Sequence, residues 1–181
     1  MKRAIQPMHA MTDLDIHPSP PGDRQEILEL ARATQVFNHA EEDTVLELFD
    51  AYRDQPASGY LFLSARRAGT LVGFACWGET ALTEGAYDLY WLCTLPDAQR
   101  RGVGRALFER VQSLATERGG RLIVIWTSST GPYATATRFY ERMGCVLTSR
   151  IPDFYKVGDD LLVYVKYFDK RAPIRTDARV S

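Results

Sequence analysis

Residues that hold metals or form disulfide frameworks are scarce in this sequence. Its 181 residues include three cysteines and three histidines. Cys76, Cys93 and Cys145 lie far apart inside apolar stretches, and no Cys-x-x-Cys pair is present. This distribution predicts buried free thiols in a reducing compartment rather than disulfides or a metal site. We therefore expect a cytoplasmic protein without a metal cofactor.

Long apolar runs and an excess of charge are also missing. No stretch approaches the roughly 20 apolar residues that a membrane-spanning helix needs, and residues 1–10 lack the apolar core of a signal peptide. The formal net charge of −1 at pH 7 gives no bulk attraction to nucleic acid. We expect neither a membrane nor a nucleic-acid partner, and the length predicts one domain.

One stretch, residues 95–107, joins a strand pattern to a helix pattern. Residues 87–95 are aromatic and aliphatic, as in a buried strand, and Pro96 ends that strand because it has no N–H to donate. From Val103 to Leu114, apolar residues recur at steps of three and four. This spacing predicts an amphipathic helix with one buried face.

The turn between these elements has the features of a diphosphate-binding site. Gly102 and Gly104 remove side chains where the helix begins, so an anion can approach the amides at the positive end of the helix dipole. Neighbouring arginines add charge and donors that match phosphate. A P-loop and a dinucleotide fingerprint are both excluded, because Gly-Lys-Ser/Thr and a third glycine are absent. The alternative is an ordinary helix start with a solvated arginine cluster.

Two motifs together resemble the signatures of the GNAT superfamily of N-acetyltransferases. Gln99-x-x-Gly102-x-Gly104 resembles the acetyl-coenzyme A signature, and residues 137–145 resemble the second signature, a helix ending in Phe-Tyr-x-x-x-Gly. The resemblance implies acetyl-CoA as cofactor. The cofactor contacts that it implies at the helix start are Gln99, Arg100, Arg101, Gly102, Val103, Gly104 and Arg105.

The resemblance also implies a mixed α+β fold. Its mostly antiparallel, twisted sheet of six to seven strands carries a V-shaped gap between strands 4 and 5 and is flanked by four helices. The match covers residues 12–168 as one domain, with residues 1–11 and the basic residues 169–181 as flexible extensions. Residue patterns predict strands at 13–17, 60–65, 71–77, 87–95, 121–126, 145–151 and 161–168. They predict four helices. The first begins at an Asp23–Glu26 capping box and ends at about residue 34, the second spans 41–53, the third runs from 103 to a stop at 119–120, and the fourth spans 133–143.

Acetyl transfer from a thioester to an amine requires a base, a donor for the oxyanion and an acid for the leaving thiolate. The resemblance implies a strand bulge near residues 92–95, whose freed amides bind the thioester. The backbones expected to contribute are those of Cys93, Thr94 and Leu95, which makes Cys93 a structural thiol. Tyr140 matches the family's tyrosine beside the coenzyme sulfur and is the candidate acid, although residue type alone favours a core aromatic.

Asp88 is the candidate base. The resemblance implies a carboxylate eleven residues before the signature glutamine, and Asp88 occupies that position. An acid among aromatic residues is either paired or functional, and a charge at the edge of the sheet or an ion pair with an arginine is an equal alternative. Aspartate is one methylene shorter than the usual glutamate, which favours proton relay through water. Glu84 and Tyr90 are weaker candidates.

The sequence contains no specific motif for the residues that bind the acceptor. Trp91, Trp126 and Tyr155 are expected to line a small pocket, although each is also a candidate core or turn residue. The acidic segment 153–160 resembles members that act on small amino acids or amines. Tyr133 stands where the second signature often has asparagine, so the contact made by that asparagine is not carried over.

The expected activity is acetyl transfer from acetyl-CoA to a primary amine of a small molecule, such as an amino acid or amine, by direct attack in a ternary complex. Two alternatives remain open. One is a non-catalytic module that senses acetyl-CoA, and the other is a protein or peptide N-acetyltransferase. Many members of the family are dimers, so a homodimer is one of the expected states.

Overall fold

The computed structural model describes residues 14–99 and 101–169 of the chain. In this part of the chain, seven strands form one sheet and four α-helices flank it. The strands are β1 (Leu14–Pro18), β2 (Tyr60–Arg67), β3 (Thr70–Glu79), β4 (Ala86–Thr94), β5 (Leu122–Ser128), β6 (Val146–Lys156) and β7 (Asp159–Tyr167). The helices are α1 (Arg24–Ala33), α2 (His39–Asp54), α3 (Val103–Glu117) and α4 (Ala134–Arg142).

The strand order is β1-β2-β3-β4-β5-β7-β6, with a parallel β4–β5 pair and otherwise antiparallel neighbours. The expected mixed fold is confirmed. Residues 1–11 of the expected extension and 170–181 of the expected tail lie outside the described residues, as does Arg100. No helix in the described ranges combines the length and apolarity needed to cross a bilayer.

A gap opens between β4 and β5. The two strands pair over three positions, Ala86–Asp88 with Leu122–Val124. Beyond Asp88, β4 continues toward α3 while β5 continues along β7, and no further β4–β5 pairing occurs among the described residues. The expected V between strands 4 and 5 is therefore confirmed.

The bulge in β4 lies closer to the start of the strand than expected. The β3–β4 register shifts between Cys76 and Trp77, which leaves Tyr90 as the extra residue in β4. The prediction of a bulge at residues 92–95 was therefore wrong by two residues. A bulge bends its strand and increases the local twist, so its place here coincides with the point where β4 leaves β5.

Two apolar cores lie on opposite faces of the sheet. Neighbouring residues of β2 alternate between them, since Phe62 packs with α1 and α2 whereas Leu63 packs with α3 and α4. Phe49 of α2 and Val111 of α3 are fully buried, one in each core. Both cores contain residues of β3 and β4, so the strand that leads into α3 is fixed from both sides.

The start of α1 differs from the predicted capping box. Asp23 precedes the helix but makes no cap hydrogen bond. Its carboxylate instead accepts hydrogen bonds from Ser64 Oγ and Arg66 Nη2, each at 2.5 Å, and Glu26 also accepts from Arg66. The prediction failed because Arg66 of β2 offers these carboxylates an opposite full charge together with several N–H donors, which a backbone amide does not.

Segment 152–160, predicted as a loop, is mostly a hairpin. Strand β6 continues to Lys156, which pairs with the first residue of β7. Asp153 has a left-handed φ of 53°, and its carboxylate accepts the N–H of Gly158 at 2.7 Å. The Asp160 carboxylate accepts the N–H of Asp153 at 2.9 Å. These acids therefore organise the hairpin through local backbone bonds.

Candidate active site

Close packing of α3 on the sheet places the start of that helix beside the gap. A Cβ on Gly73 of β3 would lie 2.9 Å from the carbonyl oxygen of Cys93 and 3.0 Å from side-chain atoms of Val103 and Leu107. Glycine is therefore required at this contact. The helix consequently begins against β3 and the end of β4.

The first turn of α3 presents backbone amides to an anion. Gly102, the N-cap, has φ +80° and ψ 0°, a conformation that strains residues with a Cβ. No side chain caps this turn and no acidic residue lies in it. The amides from Gly102 to Arg105 thus lack acceptors within the helix and lie at the positive end of its dipole.

Gly104 keeps a groove open above β4. A Cβ at this position would lie 3.7 Å from Leu92, Thr94 and Phe139 side-chain atoms, an ordinary van der Waals distance. A methyl group would therefore fit the protein but would fill the space between α3, β4 and α4. This groove therefore lies between the first turn of α3 and residues 92–94 of β4.

The arginine side chains contribute unequally to this surface. The Arg105 guanidinium donates to Glu109 at 2.8 Å, so its side chain is directed along the helix, although its amide belongs to the first turn. Arg101 is exposed and has no ion pair with any described residue. The Gln99 side chain is exposed. The backbone N–H of Gln99 donates to the carbonyl oxygens of Leu95 and Pro96.

At every second residue of β4, the backbone N–H and C=O groups point into the gap. The N–H of Leu95 donates to the carbonyl oxygen of Val72 in β3 at 3.0 Å. The expectation that this N–H is free to bind a ligand was therefore wrong. Because strand backbone groups alternate in direction, Cys93 also faces β3, whereas Leu92 and Thr94 face the gap. Of the three expected contributors only Thr94 remains, and the sequence-based expectation missed Leu92.

Tyr140 is buried under the groove. Its ring lies 5.4 Å from Phe139, 6.1 Å from Tyr164 and 6.5 Å from Phe108, measured between centroids. Its hydroxyl has no hydrogen bond to a described residue. Burial, followed by the nearby Cys93, raises the pKa of this phenol well above its usual range, so the hydroxyl keeps its proton. Tyr140 thus combines a core position with a free donor.

A cavity of about 370 Å³ opens between α2 and the separated ends of β4 and β5. It brings together three residues that the sequence marked separately, Asp88, Trp91 and Trp126, whereas Tyr155 is not part of its lining. The other lining residues are Thr44, Leu48, Leu89, Tyr90 and Val124. The cavity therefore lies directly beside the gap.

Asp88 has a neutral partner. Its half-buried carboxylate accepts a hydrogen bond from Thr80 Oγ1 at 2.7 Å. No arginine or lysine among the described residues forms an ion pair with it, so the alternative of an arginine partner is not what the structure shows. Glu84 is exposed in the β3–β4 loop, outside the cavity lining.

A contact between Tyr133 and Glu41 was not anticipated. The Tyr133 hydroxyl, at the start of α4, donates to Glu41 Oε1 in the first turn of α2 at 2.6 Å. Burial and then this hydrogen bond raise the pKa of Tyr133. Glu41 completes a capping box with Asn38, a pattern that is readable in the sequence. Its bond to Tyr133, 92 residues away, carries no local signal.

Tyr155 lies next to this pair. It is 47% exposed, and its ring lies 5.1 Å from that of Phe154, which in turn lies 6.3 Å from Trp126. Burial raises the pKa of Tyr155, and the charges of Asp159 and Glu41 raise it further. Tyr155 therefore lies at the edge of the site rather than in the cavity.

The model of the family described as "Acetyltransferase (GNAT) family" matches residues 24–145, well over half of the chain. The chain belongs to the GNAT family of acetyltransferases. It is 35% identical to a protein from Desulfovibrio desulfuricans assigned to the same family, with a TM-score of 0.81 over 85% of this chain and 98% of that chain. A sequence comparison with curated proteins found no match.

Two other solved structures share the GNAT fold at lower identity. One, from Salmonella typhimurium, contains its cofactor acetyl-CoA and is 20% identical, with a TM-score of 0.68 over 89% of this chain and 97% of that chain. The other, a ribosomal-protein alanine N-acetyltransferase from Escherichia coli, is 19% identical, with a TM-score of 0.70 over 89% and 97%. These likenesses show the fold and leave the acceptor of this GNAT protein undetermined.

The residues present fit the cofactor of the family, acetyl-CoA. The uncapped amides of Gly102–Arg105 suit a diphosphate, because they carry partial positive charge and no acid competes for them. The groove kept open by Gly104 suits the narrow pantetheine arm. This GNAT protein is therefore an acetyl-CoA-dependent acyltransferase.

Proposed function

We propose that this protein transfers an acetyl group from acetyl-CoA to a primary amine of a small molecule, by direct attack in a ternary complex. The observation that carries the proposal is the cavity beside the gap. One strand, β4, supplies both its wall and the free amides of Leu92 and Thr94. A volume of about 370 Å³ and an aromatic lining suit a small molecule.

The backbone of this chain supplies binding and orientation. Acetyl-CoA, when bound, provides the activated acetyl thioester. The amides of Gly102–Arg105 would hold its diphosphate, and the Leu92 and Thr94 amides that face the gap would stabilise negative charge on its carbonyl oxygen. These donors belong to a helix and a strand held by two cores, so they require little reorganisation during the reaction.

Asp88 and Tyr140 move the protons. Asp88 accepts a proton from the acceptor ammonium through a chain of water molecules, because it lies four residues before Leu92 and hence about 13 Å away along the strand. Tyr140 donates its proton to the leaving sulfur, since its raised pKa keeps it in the protonated form.

Cys93 does not act as a nucleophile in this scheme. It is buried, and burial raises the pKa of its thiol far above the usual range, so the reactive thiolate is not formed. Cys76 and Cys145 are also free and buried. These thiols support direct transfer and the proposal of a reducing, cytoplasmic compartment.

The experiment that tests this function is release of free CoA from acetyl-CoA over a panel of small primary amines and short peptides. We expect turnover with small amines and little with peptides, because the acceptor cavity is small. Tight binding of acetyl-CoA without turnover on any amine would instead support the sensing module. Faster turnover with peptides would support the protein N-acetyltransferase.

A further inference from the structure

The Glu41 carboxylate is held in place by neutral donors only. Oε1 accepts from the Tyr133 hydroxyl at 2.6 Å and Oε2 from the Asn38 N–H at 2.8 Å. No lysine, arginine or histidine in the described ranges forms an ion pair with it. Its position is therefore fixed by the capping box and Tyr133, and the positive end of the α2 dipole stabilises its charge while no cationic side chain neutralises it.

Neighbouring acids of α2 behave differently. Glu42 pairs with Arg32 at 3.0 Å, and Asp50 pairs with Arg24 at 2.7 Å. These two pairs join α1 to α2, on the side of α2 that faces away from the cavity. Glu41 points instead toward α4, where Tyr133 is its side-chain partner. Asp43 and Glu47 also have no ion pair among the described residues, but both are exposed, whereas Glu41 is held by a side chain of a second element.

Glu41 extends the cavity wall by one helical turn. Thr44 and Leu48 line the cavity from α2, and Glu41, Thr44 and Leu48 are spaced by three and four residues, which places them on one face of the helix. Glu41 lies about 4.5 Å further along the axis, toward the start of α4. Glu41 is not itself a lining residue, so its carboxylate is placed to meet the end of an acceptor that extends past Thr44.

The charges at the cavity favour cations over anions. Asp88 is the charged residue of its lining, and no lysine or arginine is among the lining residues. The carboxylate of a free amino acid would lose its hydration beside Asp88 and Glu41 without gaining a cationic partner. A second ammonium group would instead meet two acceptor oxygens, the Glu41 carboxylate and the Tyr133 phenol.

We propose that Glu41, positioned by Tyr133, is a specificity-determining residue that binds a second cationic group of the acceptor. The substrate class is then diamines and related polycationic amines rather than free amino acids. This inference rests on the proposed function, because it assigns the acceptor of the same site. Tyr133 is a positioning residue in this scheme, since it acts through the Glu41 carboxylate.

Three probes with the same four-carbon chain and the same reacting amine test the proposal. Putrescine carries a cation at the far end, butylamine a methyl group and γ-aminobutyrate a carboxylate. With the full-length enzyme, we expect kcat/KM to fall in that order by about tenfold per step, the ratio that 1.4 kcal/mol produces.

Substitutions then locate the source of this preference. Glu41→Gln keeps the capping box, because glutamine also serves at that position, but removes the charge. We expect it to abolish most of the advantage of putrescine over butylamine, mainly through KM. Tyr133→Phe should reduce the same advantage less, since Asn38 still holds the carboxylate. Glu47→Gln, on the exposed surface of α2, matches the charge change and should leave the order intact.

Calorimetric binding of the three probes to the enzyme with CoA separates this proposal from the proposed function. Preferred binding of putrescine that is lost in Glu41→Gln, without turnover, would support the acceptor assignment and reject catalysis. Equal kcat/KM for the three probes, or a preference for putrescine that persists in Glu41→Gln, would overturn the acceptor assignment. Either result would still support acetyl transfer to small amines. Absence of both binding and turnover would overturn both.

Discussion

At the scale of single residues, Tyr140 has a hydroxyl that packing does not need. Its ring fills the core between α3, α4 and β7, whereas its hydroxyl has no hydrogen bond to a described residue. Removing that hydroxyl should therefore affect the reaction more than the fold. A buried phenol of raised pKa carries its proton before the reaction, which fits a proton donor rather than a base, and the same shift makes it a weaker acid than a free phenol.

Tyr140→Phe should lower kcat about 100-fold, the lower end for loss of a general acid, while the Kd for acetyl-CoA stays within about twofold. Steady-state kinetics and calorimetric titration of the coenzyme measure the two quantities. Tyr164→Phe is the matched control, because its hydroxyl donates to Glu141 at 3.2 Å and has no role in the proposed proton transfers. Equal losses in both variants would show that Tyr140 acts through packing.

Asp88→Asn should lower kcat/KM about 100-fold near neutral pH, and the loss should shrink as pH rises toward the acceptor pKa of about 10. The reason is that a growing fraction of the amine is then already deprotonated and no longer needs a base. A pH series with one small amine measures this. Glu84→Gln, a change of an exposed acid outside the cavity, serves as the control. A loss that is the same at every pH would mean that Asp88 has a structural role.

The sequence marks these two residues as candidates but does not indicate their partners. Tyr140 and Asp88 lie at fixed distances from local motifs, which is why the sequence alone singles them out. Thr80 reaches Asp88 across the β3–β4 connection, and Tyr133 reaches Glu41 over 92 residues. Such contacts depend on how elements pack, and no local pattern reports them.

At the scale of elements, the site depends on where regular backbone bonding stops. β4 leaves β5 after Asp88, and α3 begins without a cap. The element types and most bounds followed from apolar periodicity and from proline and glycine positions. The register did not, because the bulge at Tyr90 reflects pairing between strands rather than the residue pattern of either strand.

Gly104→Ala should separate stability from coenzyme binding. Alanine is favoured over glycine inside helices by about 1 kcal/mol, and the added Cβ meets Leu92, Thr94 and Phe139 at ordinary contact distances. We therefore expect an unchanged or slightly higher free energy of unfolding together with a several-fold higher Kd for acetyl-CoA, since the methyl group narrows the groove. Urea denaturation and coenzyme titration measure both.

Ser113→Ala provides the comparison for Gly104→Ala. It also raises helix propensity in α3, but at an exposed position two turns further along. It should leave coenzyme affinity unchanged. If Gly104→Ala bound acetyl-CoA as tightly as this control, the groove above β4 would not be the coenzyme channel.

At the scale of the whole molecule, the sheet divides the apolar interior into two cores, and ion pairs join helices α1 and α2 on one face of the sheet. Arg24 of α1 and Asp50 of α2 form a bidentate pair at 2.7 and 2.8 Å, with Arg53 at 3.2 Å from the same carboxylate. The hydrogen bond from Arg24 is the main cause that lowers the pKa of Asp50 below its ordinary 3.8. This links folding to pH, because the folded and unfolded states bind protons differently.

A carboxylate whose pKa is lower in the folded state stabilises the fold above its unfolded pKa, and the contribution is lost as pH falls through the folded pKa. Asp50→Asn should therefore lower the free energy of unfolding by a few tenths to about 1 kcal/mol at neutral pH, the range for exposed ion pairs. Its difference from the wild type should vanish as pH falls below 3.8. Urea denaturation of both proteins from neutral to acidic pH measures that difference, and Asp43→Asn, at an exposed site of α2, is the control. A difference that persists in acid would show that Asp50 stabilises the α1–α2 contact through hydrogen bonding that does not require its charge.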